Sequence, residues 1–178
     1  YIKFEIVGDF ISEKEIILRL FISLIIGGLT GLEREKSNQF AGFRTHILVA
    51  VGSCITSITA VQLFISYSSY SNMDPARLPA QVLSGIGFIG AGAILKNSSG
   101  ITGLTTAAGI WATACIGIAI GYGQYLLGIV AWVLEMITLL SLKRIDKLFF
   151  KKSSCNLYLT ISSLDAITTT FAILKECK

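Results

Sequence analysis

The 178-residue sequence has one histidine, two prolines and no aspartate or glutamate between Asp74 and Glu135. With His46 as its only histidine, it holds no histidine-rich metal site. The four cysteines, Cys54, Cys115, Cys155 and Cys177, never take the CxxC spacing, so they read as ordinary reduced thiols. There is no Walker A sequence, which leaves ATP-driven pumping by this chain without a nucleotide site. No adequate catalytic constellation remains, and the chain reads as a non-enzyme. Charge is also scarce: 15% of residues are Asp, Glu, Lys or Arg, against 53% hydrophobic. That balance lies outside the range of soluble domains and makes the bilayer the solvent.

Crossing about 30 Å of hydrocarbon takes roughly 20 apolar residues in a helix. Five segments approach or meet that length: Ile16 to Leu32, Thr45 to Ser66, Pro79 to Leu95, Leu104 to Ile120 and Tyr122 to Leu142. The predicted fold class is therefore an all-α polytopic membrane protein with five transmembrane helices. The stretch before the first span carries Glu5, Asp9, Glu13 and Glu15 where a cleaved signal would carry a basic n-region, so the first span is expected to stay as an anchor. Residues 1–15 form an extracytoplasmic segment in this reading, and 16–142 the membrane domain. Residues 143–152 make a basic juxtamembrane linker, an amphipathic helix tail at the inner leaflet. Residues 153–178 hold a strand pattern over Asn156 to Ser162 and a helix pattern after Asp165. Such a short piece cannot bury a core alone, so it reads as the start of a domain or as a docking segment.

Lysine and arginine set the orientation. Arg34, Lys36 and Arg44, then Lys96, then Lys143, Arg144, Lys147, Lys151 and Lys152 fall on one side of a five-span bundle. The other side has Lys3, Lys14, Arg19 and Arg77. The richer side is expected to be cytoplasmic, with the N-terminus outside and the C-terminus inside. Basic residues meeting anionic lipid account for the net charge of +4, and no nucleic-acid partner is implied.

Gly85-Ile86-Gly87-Phe88-Ile89-Gly90-Ala91-Gly92 has the form of a dinucleotide fingerprint. Such a site needs a strand before the first glycine and an acidic residue about 20 positions on. Here Asp74-Pro75 reads as a helix start, and the acidic residue is missing. Small residues instead let membrane helices approach closely, and Ser84, Gly87 and Ala91 share one face. Gly27 with Gly31, Gly109, and Gly117 with Gly121 repeat the theme elsewhere. Glycine-interrupted helices can also line a transport path, and the two roles are compatible.

Charged residues near spans are the remaining candidates, because burying them is costly. Arg19 is expected to snorkel outward. Asp74 reads either as a helix cap or, with Arg77 and Gln81, as part of a polar face at the mouth of the third helix, where Arg77 points to an ion pair rather than a cation site. The first hairpin reads either as a solvated turn obeying the charge rule or as a site where Glu33 and Arg44 pair across it, with Arg34 facing the bundle. Glu135 is the one carboxylate well inside a span, either paired with a basic neighbour or serving as a proton or cation relay. Asp74 is the sole metal-ligand candidate. The acidic residues are too few, and too mixed with arginine, to supply the carboxylate cage that a Mg²⁺ cofactor would want.

Five blocks, in this order, resemble the MgtC/SapB family: Gly31-Leu32-Glu33-Arg34-Glu35, Ala41-Gly42-Phe43-Arg44-Thr45-His46, Asp74-Pro75-Ala76-Arg77, Gln81 to Gly92, and Gly103-Leu104-Thr105-Thr106-Ala107-Ala108. The resemblance covers Ile16 to Leu142. It implies a bacterial inner-membrane protein whose five-helix domain is often followed by a cytoplasmic ACT-like domain, similar to the start seen after residue 153. It also implies adaptation to low magnesium, virulence, and restraint of ATP synthase. Two functions are expected. One is a regulator acting through helix contacts, as a homodimer or with a membrane complex such as ATP synthase. The other is a Mg²⁺ or H⁺ transporter or channel with a path along the third and fourth helices containing Asp74, Gln81, Thr105 and Thr106.

Overall fold

The computed structural model describes residues 11–67, 73–97 and 100–149. The expected strand and helix of residues 153–178 lie outside the described residues, as does most of the N-terminal segment. Five helices and one short hairpin follow in chain order: α1 (Glu13–Lys36), α2 (Phe43–Tyr67), α3 (Arg77–Gly92), β1 (Leu95–Asn97), β2 (Gly100–Thr102), α4 (Leu104–Gly121) and α5 (Tyr125–Phe149).

Helix α1 starts where Ser12 Oγ accepts the Glu15 N–H at 3.3 Å, freeing the first turn from an unpaired donor. Glu13 and Glu15 sit in that turn and Arg34 and Lys36 in the last, each sign suited to the helix dipole. The chain leaves α1 through Asn38, held at φ +52, a conformation that asparagine tolerates. Helix α2 begins on a borrowed cap: Glu35 Oε2, from the end of α1, accepts the Phe43 N–H at 2.9 Å. The short α1–α2 connection is thereby locked.

Helices α1, α2 and α4 are long and apolar enough to cross a membrane, whereas α3 has 16 residues and the described apolar part of α5 runs over Tyr125–Ser141. One expected boundary changes. The third span was expected to reach Leu95, but α3 stops at Gly92 and Leu95 pairs with Thr102 in an antiparallel hairpin. Gly103 takes the chain from β2 into α4: its φ is +87, and a Cβ there would lie 1.9 Å from the Ala93 carbonyl oxygen. The stretch 143–152, expected as a helix tail, is helix as far as Phe149, where α5 ends. Residues up to Leu142 form one compact unit, and only the end of α5 is described from the unit that follows.

Helices α2 and α4 lie at the centre of the first unit, with α1 against both and α3 against both. Glycines set these distances. A Cβ on Gly27 would come within 2.6 Å of the His46 carbonyl oxygen, and one on Gly117 within 2.4 Å of the Ala50 carbonyl oxygen. Helix α2 is therefore gripped from two sides at backbone contact, the geometry that small residues permit in membranes. Ile26, Cys54, Ile58, Ile116 and Ile120 fill one buried apolar cluster, and Val49, Ile86, Ile110 and Ala114 belong to a second.

Polarity is distributed inside out. Phe88, Leu126 and Leu48 are 86%, 79% and 72% exposed, while Ser23, Thr30, Ser53, Ser57, Thr106 and Thr113 are buried. Water would penalise that surface, and lipid accommodates it.

Candidate functional site

The buried polar residues converge between α1, α2, α4 and α5. On α4, Thr106, Gly109 and Thr113 follow at spacings of three and four, which puts them on one face. On α5, Trp132 and Glu135 are three apart and face the same interior. Trp132 Nε1 donates to Thr30 Oγ1 of α1 at 3.1 Å. Thr113 Oγ1 donates to Glu135 Oε1 at 3.3 Å. Thr106 Oγ1 donates to Gln39 Oε1 at 2.8 Å, tying α4 to the α1–α2 connection.

His46 is fully buried on α2, and its Nδ1 donates to the Gly42 carbonyl at 3.0 Å. That bond fixes the ring and aims Nε2 into the bundle. There Nε2 has no hydrogen-bond partner, and neither does Glu135 Oε2. Both residues approach Gly109: a Cβ built on this glycine would be 4.0 Å from both His46 Nε2 and Glu135 Oε1. Beside them Arg34, 4% exposed, is ion-paired with the adjacent Glu33, whose Oε1 also accepts Ser37 Oγ at 2.8 Å.

The other end of the bundle has a separate polar knot. Arg19 was expected to snorkel outward, but it turns inward. It pairs with Glu15 at 3.0 Å and donates through Nη1 to the Gly121 carbonyl at 2.8 Å. The reason is local: the last carbonyls of α4 lack intrahelical partners and carry the negative end of the helix dipole. Tyr125 hydroxyl completes the knot by donating to Glu15. Nearby, Tyr122 hydroxyl donates to the Pro75 carbonyl at 2.8 Å, and burial, helped by the negative charge of Asp74, pushes the phenol above its usual range.

The expected Asp74–Arg77 ion pair does not form among the described residues. Asp74 Oδ1 accepts the Ala76 N–H at 2.8 Å, holding the turn before α3 instead. Glu33 likewise pairs with Arg34 rather than Arg44, which is exposed; the carboxylate closing that hairpin is Glu35. Asp74, Arg77, Gln81 and Thr105 are exposed, with Asp74 and Arg77 lining one cavity, whereas Thr106 is buried against Gln39.

Among the small residues, Gly27, Gly31 and Gly117 sit at internal helix contacts, and Gly90 lies 3.6 Å from Ala107 through its notional Cβ. Ser84, Gly85, Gly87, Ala91 and Gly92 are exposed on α3, with nothing within 4 Å of a Cβ at Gly85, Gly87 or Gly92.

Sequence reasoning missed His46, Thr113, Thr30 and Trp132 as site residues. The signal was the coincidence of a lone histidine and a lone intramembrane carboxylate with a threonine-glycine-threonine face on α4. A Mg²⁺ site needs several oxygen ligands, whereas Glu135 is one carboxylate with Arg34 acting on it. Among the described residues no group of three or more His, Cys, Asp or Glu side chains forms.

An apolar outer surface, a polar interior and helices of spanning length define a multi-pass membrane protein. The MgtC family model matches residues 20–148, and the chain belongs to the MgtC family, in the bacterial inner membrane. It is 42% identical over 156 residues to YhiD of Escherichia coli (strain K12), named as a candidate magnesium transporter, covering 86% of this chain and 71% of that protein. It is 47% identical over 116 residues to protein SapB of Bacillus subtilis (strain 168), covering 64% of this chain and 50% of SapB. With protein MgtC of Salmonella typhimurium (strain LT2) it shares 39% identity over 109 residues, 61% of this chain and 44% of MgtC. The matched part thus spans half or less of the length of SapB and MgtC. No solved structure matches the chain.

Proposed function

We propose that the chain is a non-enzymatic inner-membrane regulator, linked to adaptation to low magnesium, that works by docking α3 against a second copy of itself. The supporting observation is the open face of α3. Four glycines elsewhere hold helix backbones together inside the bundle, yet Gly85, Gly87 and Gly92 have nothing against them. Gly85 and Gly92 lie seven residues apart, nearly aligned on the helix, and Phe88 projects between them, 86% exposed. In a two-fold contact each Phe88 can cover the other copy's glycines, a self-complementary arrangement. No charged residue lies between Arg77 and Lys96 to oppose the approach.

In this reading the basic α1–α2 connection faces the cytoplasm, by the excess of lysine and arginine there. An ACT-like domain beginning near residue 153 then lies on the same side, and a larger membrane complex such as ATP synthase is the target of the assembled dimer. The magnesium link rests on family membership and on the name of YhiD. A transporter path along α3 and α4 has less support, since Gly90 and Ala107 are packed together. Flux into sealed liposomes tests the choice. The regulator gives no saturable Mg²⁺ or H⁺ flux above empty vesicles; saturable flux lost in Asp74→Ala establishes the transporter.

A further inference from the structure

His46 and Glu135 present an arrangement that packing does not require. A fully buried imidazole nitrogen and a buried carboxylate oxygen are both left without partners, though such groups are nearly always satisfied. They come from different helices, α2 and α5, and both reach the same small residue of α4: a Cβ built on Gly109 would lie 4.0 Å from His46 Nε2 and 4.0 Å from Glu135 Oε1. Each atom can hold a proton. Gly42 occupies His46 Nδ1, so Nε2 carries the exchangeable site of the ring, and Glu135 Oε2 is the free oxygen of its carboxyl group.

From this geometry we propose that His46 and Glu135 form a buried proton-binding couple, holding one exchangeable proton between them across the Gly109 gap, directly or through a single water. The transfer is balanced. The O–H bond of the carboxylic acid breaks at Oε2 as an N–H bond forms at Nε2, giving carboxylate and imidazolium; the reverse step restores two neutral groups. Loading and release exchange this proton with water.

The surroundings favour a proton over a metal cation. From α1, the charges of Arg34 and Glu33 act on His46, and that of Arg34 also on Glu135. From α4, Thr113 donates to Glu135 Oε1, and the Cys115 thiol lies within the field of Glu135. On α2 itself Arg44 is exposed, and α3 brings only Arg77, at its Asp74 end. Arg34 opposes a second fixed cation, whereas a shared proton leaves the net charge of the couple low, which suits a membrane interior. The couple stands independently of α3 docking, so either proposal can fail without the other.

Because His46 is the only histidine, its ring signals are unambiguous. The test is a pH titration of the chain, labelled with ¹⁵N-histidine, in lipid nanodiscs by magnetic resonance. Infrared difference spectra of the protonated-carboxyl stretch accompany it. The couple predicts that Glu135→Gln moves the midpoint of the His46 transition by about one pH unit or more and abolishes a carboxyl band. It also predicts that His46→Gln shifts the same band. Gly109→Ala, whose methyl makes ordinary contacts at 4.0 Å, keeps the fold but displaces the bridge and perturbs both signals. Glu13→Gln, at the far end of α1, changes neither. A His46 transition unmoved in both Glu135→Gln and Gly109→Ala overturns the proposal, as does a carboxyl band indifferent to His46.

Discussion

Arg19 of α1 donates to the backbone carbonyl of Gly121 at 2.8 Å, so that a charge in the first helix caps the last turn of the fourth. Replacing it with Met removes a charge-assisted hydrogen bond from a half-buried site and leaves Glu15 without its cation. The expected cost is about 2 kcal/mol, read as a lower midpoint of thermal unfolding in detergent. Arg19→Lys keeps the charge but not the forked geometry, and falls between the two. An unchanged midpoint in Arg19→Met shows that the knot does not hold α4.

Gly117 and Gly85 make opposite predictions from the same residue type. A side chain on Gly117 collides with the Ala50 backbone, so Gly117→Val should cost at least about 2 kcal/mol, the scale of overpacking. Gly85→Val meets open space and leaves the stability of the isolated chain unchanged within about 0.5 kcal/mol. Parallel unfolding curves of the two variants check this.

The Trp132–Thr30 hydrogen bond ties α5 to α1. Trp132→Phe retains the aromatic bulk and leaves the Thr30 hydroxyl unpaired in a buried place, at a cost of about 1 kcal/mol. Thr30→Val in the same background should recover part of it, because both polar partners are then gone. A double-mutant cycle measures the recovery, and strict additivity would refute the coupling.

Gly103 is the backbone hinge between the hairpin and α4. Gly103→Ala combines a positive φ with a contact against the Ala93 carbonyl, and is expected to abolish folded protein rather than merely weaken it. The readout is the yield of monodisperse protein on size-exclusion chromatography, beside Gly92→Ala as a tolerated control. Equal yields contradict the hinge.

The helices were legible because hydrophobic length is a strong, local signal: Leu104 to Ile120 was expected, and α4 runs Leu104–Gly121. The hairpin at Leu95–Thr102 was not, because three-residue strands leave almost no periodicity and Ile94-Leu95 extends the apolar run of α3. Charge positions were readable but charge partners were not. Glu33 lay equally near several cations along the chain, and only folding brings Glu35 to the Phe43 amide. His46 and Glu135, 89 positions apart, both approach Gly109, and no local pattern encodes that approach.

Cross-linking on α3 tests the central claim most directly. In native membranes, with the four natural cysteines replaced by alanine, Gly85→Cys should give a disulfide-linked dimer on mild oxidation. Leu126→Cys, 79% exposed on α5, should stay monomeric under the same conditions. Dimers from Leu126→Cys and none from Gly85→Cys would contradict the account.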